Sequence, residues 1–190
     1  MITAAELEHE GLRPLPDVVL ALCLQHDAAP RLVAHLTLVH DVAHRIVRGV
    51  RKRWPALELD VAAVTFGAAT HDIGKAVHRE ELSVPGTLHE PAGFQLLVDA
   101  GIAEAMARFT RTHGAWEQVA DLDVEDLLVV LADTAWKGKR SKALDDRLAA
   151  VIAKATGRPA WEVFLALDDV IADITADADA RLAWHARYAA

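Results

Sequence analysis

The chain has 190 residues, a length typical of one domain or of one domain with a helical extension. Its net charge is −8, from 20 basic and 28 acidic residues, which argues against a general nucleic-acid-binding surface. No apolar run reaches the ~18 residues that a membrane span needs. The single cysteine, Cys23, excludes an intramolecular disulfide, and the acidic segment Met1 to Glu10 is unlike a secretory signal. We therefore expect a cytoplasmic protein without a nucleic-acid or membrane partner.

Alternating β-branched runs are nearly absent and alanine is abundant, so the sequence predicts an all-α fold. In chain order, the apolar spacing and the capping residues predict helices from Asp17 to about His26, from Pro30 to about Trp54, from Val61 (capped by Asp60) to Thr70, from Pro91 to about Ala100, from Ile102 to Thr112, from Val124 (capped by Asp123) to about Trp136, from Ser141 to Gly157, and from Pro159 to the C-terminus. We expect one domain over residues 1–190, with a catalytic core at about 30–140 and a C-terminal helical extension at 141–190.

The most informative motif is Thr70-His71-Asp72-Ile73-Gly74-Lys75, in which an almost entirely apolar helix ends in an adjacent histidine and aspartate. Burying a charged carboxylate without a partner is costly, and a metal cation removes that cost. We interpret Gly74 as allowing a sharp backbone turn. Lys75 adds a positive charge that could meet an anionic substrate.

Four further residues stand where they could join this pair. His35 lies on the apolar stripe of the second predicted helix, His89 precedes a helix start, His113 stands at a helix end, and Asp133 follows a long apolar run. Four histidines and two aspartates offer nitrogen and oxygen ligands for one or two divalent metals such as Fe, Mn or Zn. Two metals agree better with six ligands than one metal does.

The remaining histidines and tryptophans receive plainer interpretations. His40 and His44 form an i,i+4 pair that points away from His35, and we expect both to be exposed. We expect His185 to be a terminal surface residue. Trp161 and Trp184 are predicted to be core residues.

At the six candidate ligands the sequence resembles the HD-domain superfamily of metal-dependent phosphohydrolases, over the segment from Arg31 to Arg140. The resemblance implies an HD-type helical bundle. It also implies one metal held by His35, His71, Asp72 and Asp133, and a second metal held by Asp72 as a bridge together with His89 and His113.

Within that superfamily, the strings Leu88-His89-Glu90-Pro91-Ala92-Gly93, Thr112-His113-Gly114 and Leu131-Ala132-Asp133 are most similar to the small hydrolases of diadenosine tetraphosphate and related dinucleotides. Gly114 stands where that group has a threonine, and the segment from Ala135 to Arg140 differs from the group's ending. The resemblance implies hydrolysis of a phosphate ester or anhydride of a nucleotide-like substrate by metal-activated water. A dinucleoside polyphosphate is the leading substrate.

Asp72 and Lys75 are the predicted catalytic residues. The predicted phosphate-binding residues are all basic and comprise Lys75, Arg111, Lys137, Lys139 and Arg140. The apolar C-terminal helices, from Val151 to Ile174, could also form a homodimer interface.

Two alternatives stay open on sequence grounds. A branch of the same superfamily uses a mixed-valent di-iron site with the same six ligand types to oxidise organophosphonates or polyols with O₂. A non-catalytic nucleotide sensor could keep the fold, although a complete ligand set argues against it.

Overall fold

The computed structural model describes residues 2–189, and over that range the chain forms α-helices and two short 3-10 turns but no β-strand. The all-α prediction is confirmed. The α-helices are α1 (Ala4–His9), α2 (Asp17–Gln25), α3 (Pro30–Arg53), α4 (Val61–Thr70), α5 (His89–Asp99), α6 (Glu104–Ala107), α7 (Phe109–Ala115), α8 (Val124–Ala135), α9 (Lys142–Thr156), α10 (Ala160–Thr175) and α11 (Ala178–His185), and the 3-10 turns are Ile73–Ala76 and Arg79–Leu82. Within the described residues, no helix combines the length and hydrophobicity needed to cross a membrane.

Local sequence signals account for several helix boundaries. The carboxylate of Asp60 accepts a hydrogen bond of 2.9 Å from the backbone N–H of Ala63 and caps α4 as predicted. Gly157 ends α9 with a φ of 66°, a left-handed conformation that favours glycine. Asp123 precedes α8 as predicted, but its side chain makes no capping hydrogen bond within the described part of the chain.

The structure differs from the predicted helices in four places. The sequence patterns do not predict α1, and α5 begins at His89, two residues before Pro91. The helix predicted from Ile102 to Thr112 is divided at Arg108, whose side chain turns to bind Asp126 of α8. The last predicted helix is divided into α10 and α11 near Asp177.

The 24-residue helix α3 lies at the centre of the fold, and α4 packs against both α3 and α8. Two apolar clusters meet along α3 and α4: Leu38 and Ala68 belong to one, while Leu36 and Ala69 belong to the other. The shared helices hold the end of α4, and therefore His71 and Asp72, in the interior.

Two burial predictions are wrong. His40 is buried and His44 is half-buried, because α3 is covered on a second face: the backbone N–H of Arg13, from the N-terminal segment, lies 3.4 Å from the carboxylate of Asp41. Trp184 is buried as predicted, but Trp161 is 67% exposed. Trp161 stands in the first turn of α10, on a face that is exposed to solvent together with Leu165 one turn further on.

Candidate metal centre

The six predicted ligands converge from five separate helices. His35 lies inside α3, His71 and Asp72 directly follow α4, and the other three come from α5 (His89), α7 (His113) and α8 (Asp133). The apolar packing of α4 between α3 and α8 brings together residues that are far apart in the sequence. The side chain of His71 is fully buried, whereas that of Asp133 is 26% exposed.

The first group of donors consists of His35, His71 and Asp133. The Nε2 atoms of His35 and His71 lie 3.1 Å apart. The Oδ1 atom of Asp133 lies 3.6 Å from the first of these nitrogens and 3.7 Å from the second. Two imidazole nitrogens and one carboxylate oxygen therefore face the same small volume.

The second group consists of Asp72, His89 and His113. The Oδ1 atom of Asp72 lies 3.1 Å from Nε2 of His89 and 3.4 Å from Nε2 of His113. Its other oxygen, Oδ2, faces the first group and lies 3.1 Å from Nε2 of His35. The Asp72 carboxylate thus stands between the two groups and offers one oxygen to each.

These donors fit a divalent transition metal. Ligands bound at 2.0–2.2 Å with tetrahedral to octahedral angles lie about 2.8–3.6 Å apart, close to the spacings of the two groups. Oδ1 of Asp72 and Nε2 of His89 are both buried and face each other at 3.1 Å, but both are acceptors, because Nδ1 of His89 carries the proton towards Glu81; among the described residues neither has a hydrogen-bond partner. Buried polar atoms without partners are unfavourable, and coordination would satisfy both. The two His/Asp groups could therefore hold metal ions.

Backbone carbonyls set the tautomer of two of the histidines. The Nδ1 atom of His71 lies 3.0 Å from the carbonyl oxygen of Ala68, and that of His113 lies 3.0 Å from the carbonyl oxygen of Phe109. A carbonyl can only accept, so each Nδ1 carries the proton. The Nε2 lone pair of each ring is then left to face Asp72 and to bind a cation.

Glu81 sets the tautomer of His89 in the same way, and the sequence analysis did not predict this role. Its buried carboxylate lies 2.5 Å from Nδ1 of His89 and accepts hydrogen bonds of 3.0 Å from the backbone N–H groups of Leu88 and His89. Burial would raise the pKa of Glu81, but these bonds lower it to about 2. The sequence has no signal for this role, because Glu80 stands beside Glu81 and only the 3-10 turn decides which of them points inward.

The carboxylates of the centre are charged at neutral pH. Burial would raise the pKa of Asp72, but His71 and the three other histidines hold it well below its usual range. Burial would also raise the pKa of Asp133, but the interaction with His71 outweighs burial and lowers that pKa. The site therefore presents negative charge that suits a cation.

Lys75 and Lys137 lie at the more exposed edge of the centre. The Nζ atom of Lys75 is 2.7 Å from Oδ2 of Asp72, and that of Lys137 is 3.4 Å from Oδ2 of Asp133. Their side chains are 19% and 29% exposed. Both ammonium groups are thus placed where an anion approaching the centre would meet them.

The other predicted phosphate-binding residues are engaged elsewhere. The guanidinium of Arg111 stacks on the ring of Phe94 at 3.5 Å, and Lys139 is exposed. Arg140 pairs with Asp145 at 2.7 Å and with Asp168 at 2.6 Å. A role for Arg140 in substrate binding requires it to leave two carboxylates, and for all three residues that role stays a prediction.

The C-terminal helix contributes to the surroundings of the centre, contrary to the surface position expected for His185. Its ring is half-buried and lies 5.1 Å from the ring of Trp136 and 6.2 Å from that of His35. Trp136 in turn packs at 5.3 Å against His35. The position depends on the break between α10 and α11, which local periodicity does not predict.

The role expected for Gly74 also needs correction. It lies in a 3-10 turn without a left-handed φ, so the backbone turn itself does not require glycine. A Cβ atom at this position would instead overlap with the carbonyl oxygen of His89 and lie 2.6 Å from the backbone nitrogen of Gly93. Glycine is needed because α5 crosses the turn closely, and that contact places His89 beside Asp72.

Comparison with known proteins identifies no relative of this chain. No protein-family model, curated protein or solved structure gives a match to the chain. What the centre does is therefore inferred from its own residues.

Proposed function

We propose that the protein is a metal-dependent phosphohydrolase that cleaves a phosphate ester or anhydride bond of a nucleotide-like small molecule, with dinucleoside polyphosphates as the leading substrate class. One observation carries the proposal: the buried Asp72 offers one oxygen to each of two donor groups, and two lysines stand beside the carboxylates. The resemblance to HD-domain phosphohydrolases, which rests on the same six residues, supports it.

The donor groups would hold two divalent cations. His35, His71 and Asp133 would bind one cation, His89 and His113 would bind the other, and Asp72 would bind both. Bound there, divalent cations supply an activated water nucleophile and stabilise negative charge on phosphoryl oxygens.

The chain's own residues would orient the substrate. Lys75 and Lys137 would exchange their carboxylate partners for phosphate oxygens, since charge-assisted hydrogen bonds to phosphate are strong. The substrate would enter beside Asp133, the most exposed of the ligands. The rings of His71 and His89 are buried and shielded from bulk water.

The test is turnover of a panel of phosphate compounds, with Mn(II) or Fe(II) supplied and oxygen excluded. The panel contains dinucleoside polyphosphates, nucleoside mono- and triphosphates, and simple phosphomonoesters. We expect release of phosphate or nucleotide from one class. No turnover of the panel, together with turnover of phosphonates or polyols that requires both iron and O₂ in parallel assays in air, would refute the hydrolase in favour of an oxygenase. Tight nucleotide binding without turnover would refute it in favour of a sensor.

Asp72→Asn sharpens the test, because it keeps the shape of the side chain but removes its charge and one acceptor oxygen. We expect bound metal and turnover to fall together while the helical circular dichroism is kept. Asp121→Asn, an exposed change of the same chemistry, is the matched control. Metal content and rate at the level of this control would contradict the assignment of Asp72.

A further inference from the structure

A cavity of about 370 Å³ lies between α1, α2 and the start of α3. Leu7 lines it from α1, Cys23 lines it from α2, and Val33 lines it from α3. Because Leu7 belongs to one of the two apolar clusters and Cys23 to the other, the cavity is a gap in the packing between them. Protein interiors leave few voids larger than a water molecule. The volume lies in the range of roughly 300–1,000 Å³ that is typical of small-molecule sites.

The cavity and the candidate metal centre lie on opposite faces of α3. Val33 and Thr37 line the cavity, and each stands two residues from His35 in the sequence. Two residues correspond to a rotation of about 200° around an α-helix. Within the described part of the chain, none of the six candidate ligands lines the cavity. A molecule bound there is therefore independent of the reaction proposed for the metal centre.

The described residues that line the cavity present no charge and no free hydrogen-bonding side chain to a ligand. Apart from three residues, their side chains are all apolar. Of these three, Asp27 has a side chain that is 96% exposed and pairs with Arg79 at 2.9 Å, so its charge faces solvent. The hydroxyl of Thr37 donates to the carbonyl oxygen of Val33 at 2.8 Å. Burial raises the pKa of the Cys23 thiol to about 11, so the thiol stays neutral.

The opening of the cavity is apolar as well. Leu24 lines the cavity but is 59% exposed, and two further lining residues, Leu20 and Ala4, also reach the surface. A leucine this exposed keeps apolar surface in contact with water, and covering that surface is favourable. A ligand that fills the cavity would gain this burial without displacing a hydrogen bond or an ion pair. The chemistry of the cavity therefore favours an apolar ligand over a charged one.

We propose that this cavity binds a small uncharged molecule that is rich in carbon, such as a compound of two or three aromatic rings. An apolar cavity of about 150 Å³ is large enough for benzene. A volume of about 370 Å³ therefore accommodates a ligand about twice as large. Contact with the side chains of Leu7, Leu15 and Val33 would hold the ligand by apolar burial alone.

The experiment compares two fluorescent probes that differ by one charged group. N-phenylnaphthylamine is uncharged, and anilinonaphthalene sulfonate has the same ring system with a sulfonate added. We expect the full chain to bind the uncharged probe saturably, with a rise in fluorescence, and to bind the charged probe about tenfold or more weakly. No saturable binding of the uncharged probe, or equal affinity for the two probes, would overturn the proposal. Binding that appears only in a chain lacking Met1 would mean that the chain's own first residue fills the cavity, and the proposal would again be wrong.

Two variants of α1 locate the bound probe. Ala4 is exposed and lines the cavity, so Ala4→Phe fills its opening without removing a buried group. Ala5 is also exposed on α1 but does not line the cavity, so Ala5→Phe is the matched control. We expect the affinity for the uncharged probe to fall about tenfold or more in the first variant only. Equal affinity in the two variants would place the probe elsewhere and refute the cavity as its site.

Discussion

Replacing Glu81 by glutamine tests whether the candidate metal centre depends on support from outside its six ligands. The Glu81 carboxylate accepts from three donors: the backbone N–H groups of Leu88 and His89 at 3.0 Å, and Nδ1 of His89 at 2.5 Å. Glutamine has nearly the same shape but only one acceptor oxygen, and its amide nitrogen would face an N–H group. At least one buried donor would lose its acceptor, and the ring of His89 would keep at best a neutral amide oxygen in place of the charged carboxylate that orients it.

The expected cost is a loss of about 10–100-fold in metal affinity, the usual effect of removing a carboxylate that orients a metal-binding histidine. Competition with a chromophoric chelator for Zn(II) or Mn(II) near neutral pH measures it directly. Glu80→Gln is the matched control, because Glu80 is the adjacent residue and its side chain is 60% exposed. If the two variants bind metal with the same affinity, Glu81 does not position His89 and the reasoning fails.

Acid stability gives an independent readout of the same carboxylate. The pKa of Glu81 is lowered from 4.5 to about 2 in the folded chain, so the folded state holds the charged form more strongly than the unfolded state does. Its contribution to stability is present above the ordinary pKa and is lost as the pH falls from about 4.5 towards 2. The difference in unfolding free energy between the wild type and Glu81→Gln should therefore shrink across that window in urea titrations.

Three further predictions concern a close backbone contact at the centre, a buried histidine and a helix cap. Gly74→Ala should cost about 1–3 kcal/mol of stability in urea unfolding and weaken metal binding, because the new methyl group overlaps with the backbone of His89; unchanged stability would mean that α5 moves away without cost. Burial and neighbouring positive charge lower the pKa of His40 from 6.5 to about 4, so protonation of the unfolded state should cost the wild type about 2 kcal/mol between pH 7 and pH 5. His40→Leu should lose correspondingly less stability over that range, and parallel pH profiles would contradict the assignment. Asp60→Ala should cost about 1 kcal/mol in thermal unfolding, whereas Asp123→Ala, at a helix start without a capping bond, should cost less.

Local sequence signals were sufficient for most of the helices and for choosing the candidate ligands. The apolar spacing of α3, the capping residue of α4 and the apolar run before Asp133 each depend on residues within a few turns of one another. The ligands stood out because histidine and aspartate are out of place on apolar helix faces, where burial without a partner is unfavourable. That anomaly is visible in a single sequence.

Interactions between distant segments decided what periodicity does not predict. His40 is buried because the N-terminal segment crosses α3, and His185 reaches the surroundings of His35 because the chain turns between α10 and α11. Neither event leaves a local pattern, since both depend on which faces of the helices become covered.

The sequence by itself therefore determined that the chain is helical and which six side chains needed a partner in the interior. The family resemblance implied how they divide into two groups around Asp72, but only the tertiary structure decided which oxygen of Asp72 faces each group, because that depends on the direction of one carboxylate among packed helices. It also decided that Glu81 rather than Glu80 supports His89 and that Gly74 is required by the close crossing of α5. The physical reason is that helix formation depends on neighbours in sequence, whereas the geometry of a site depends on contacts between segments far apart in the chain.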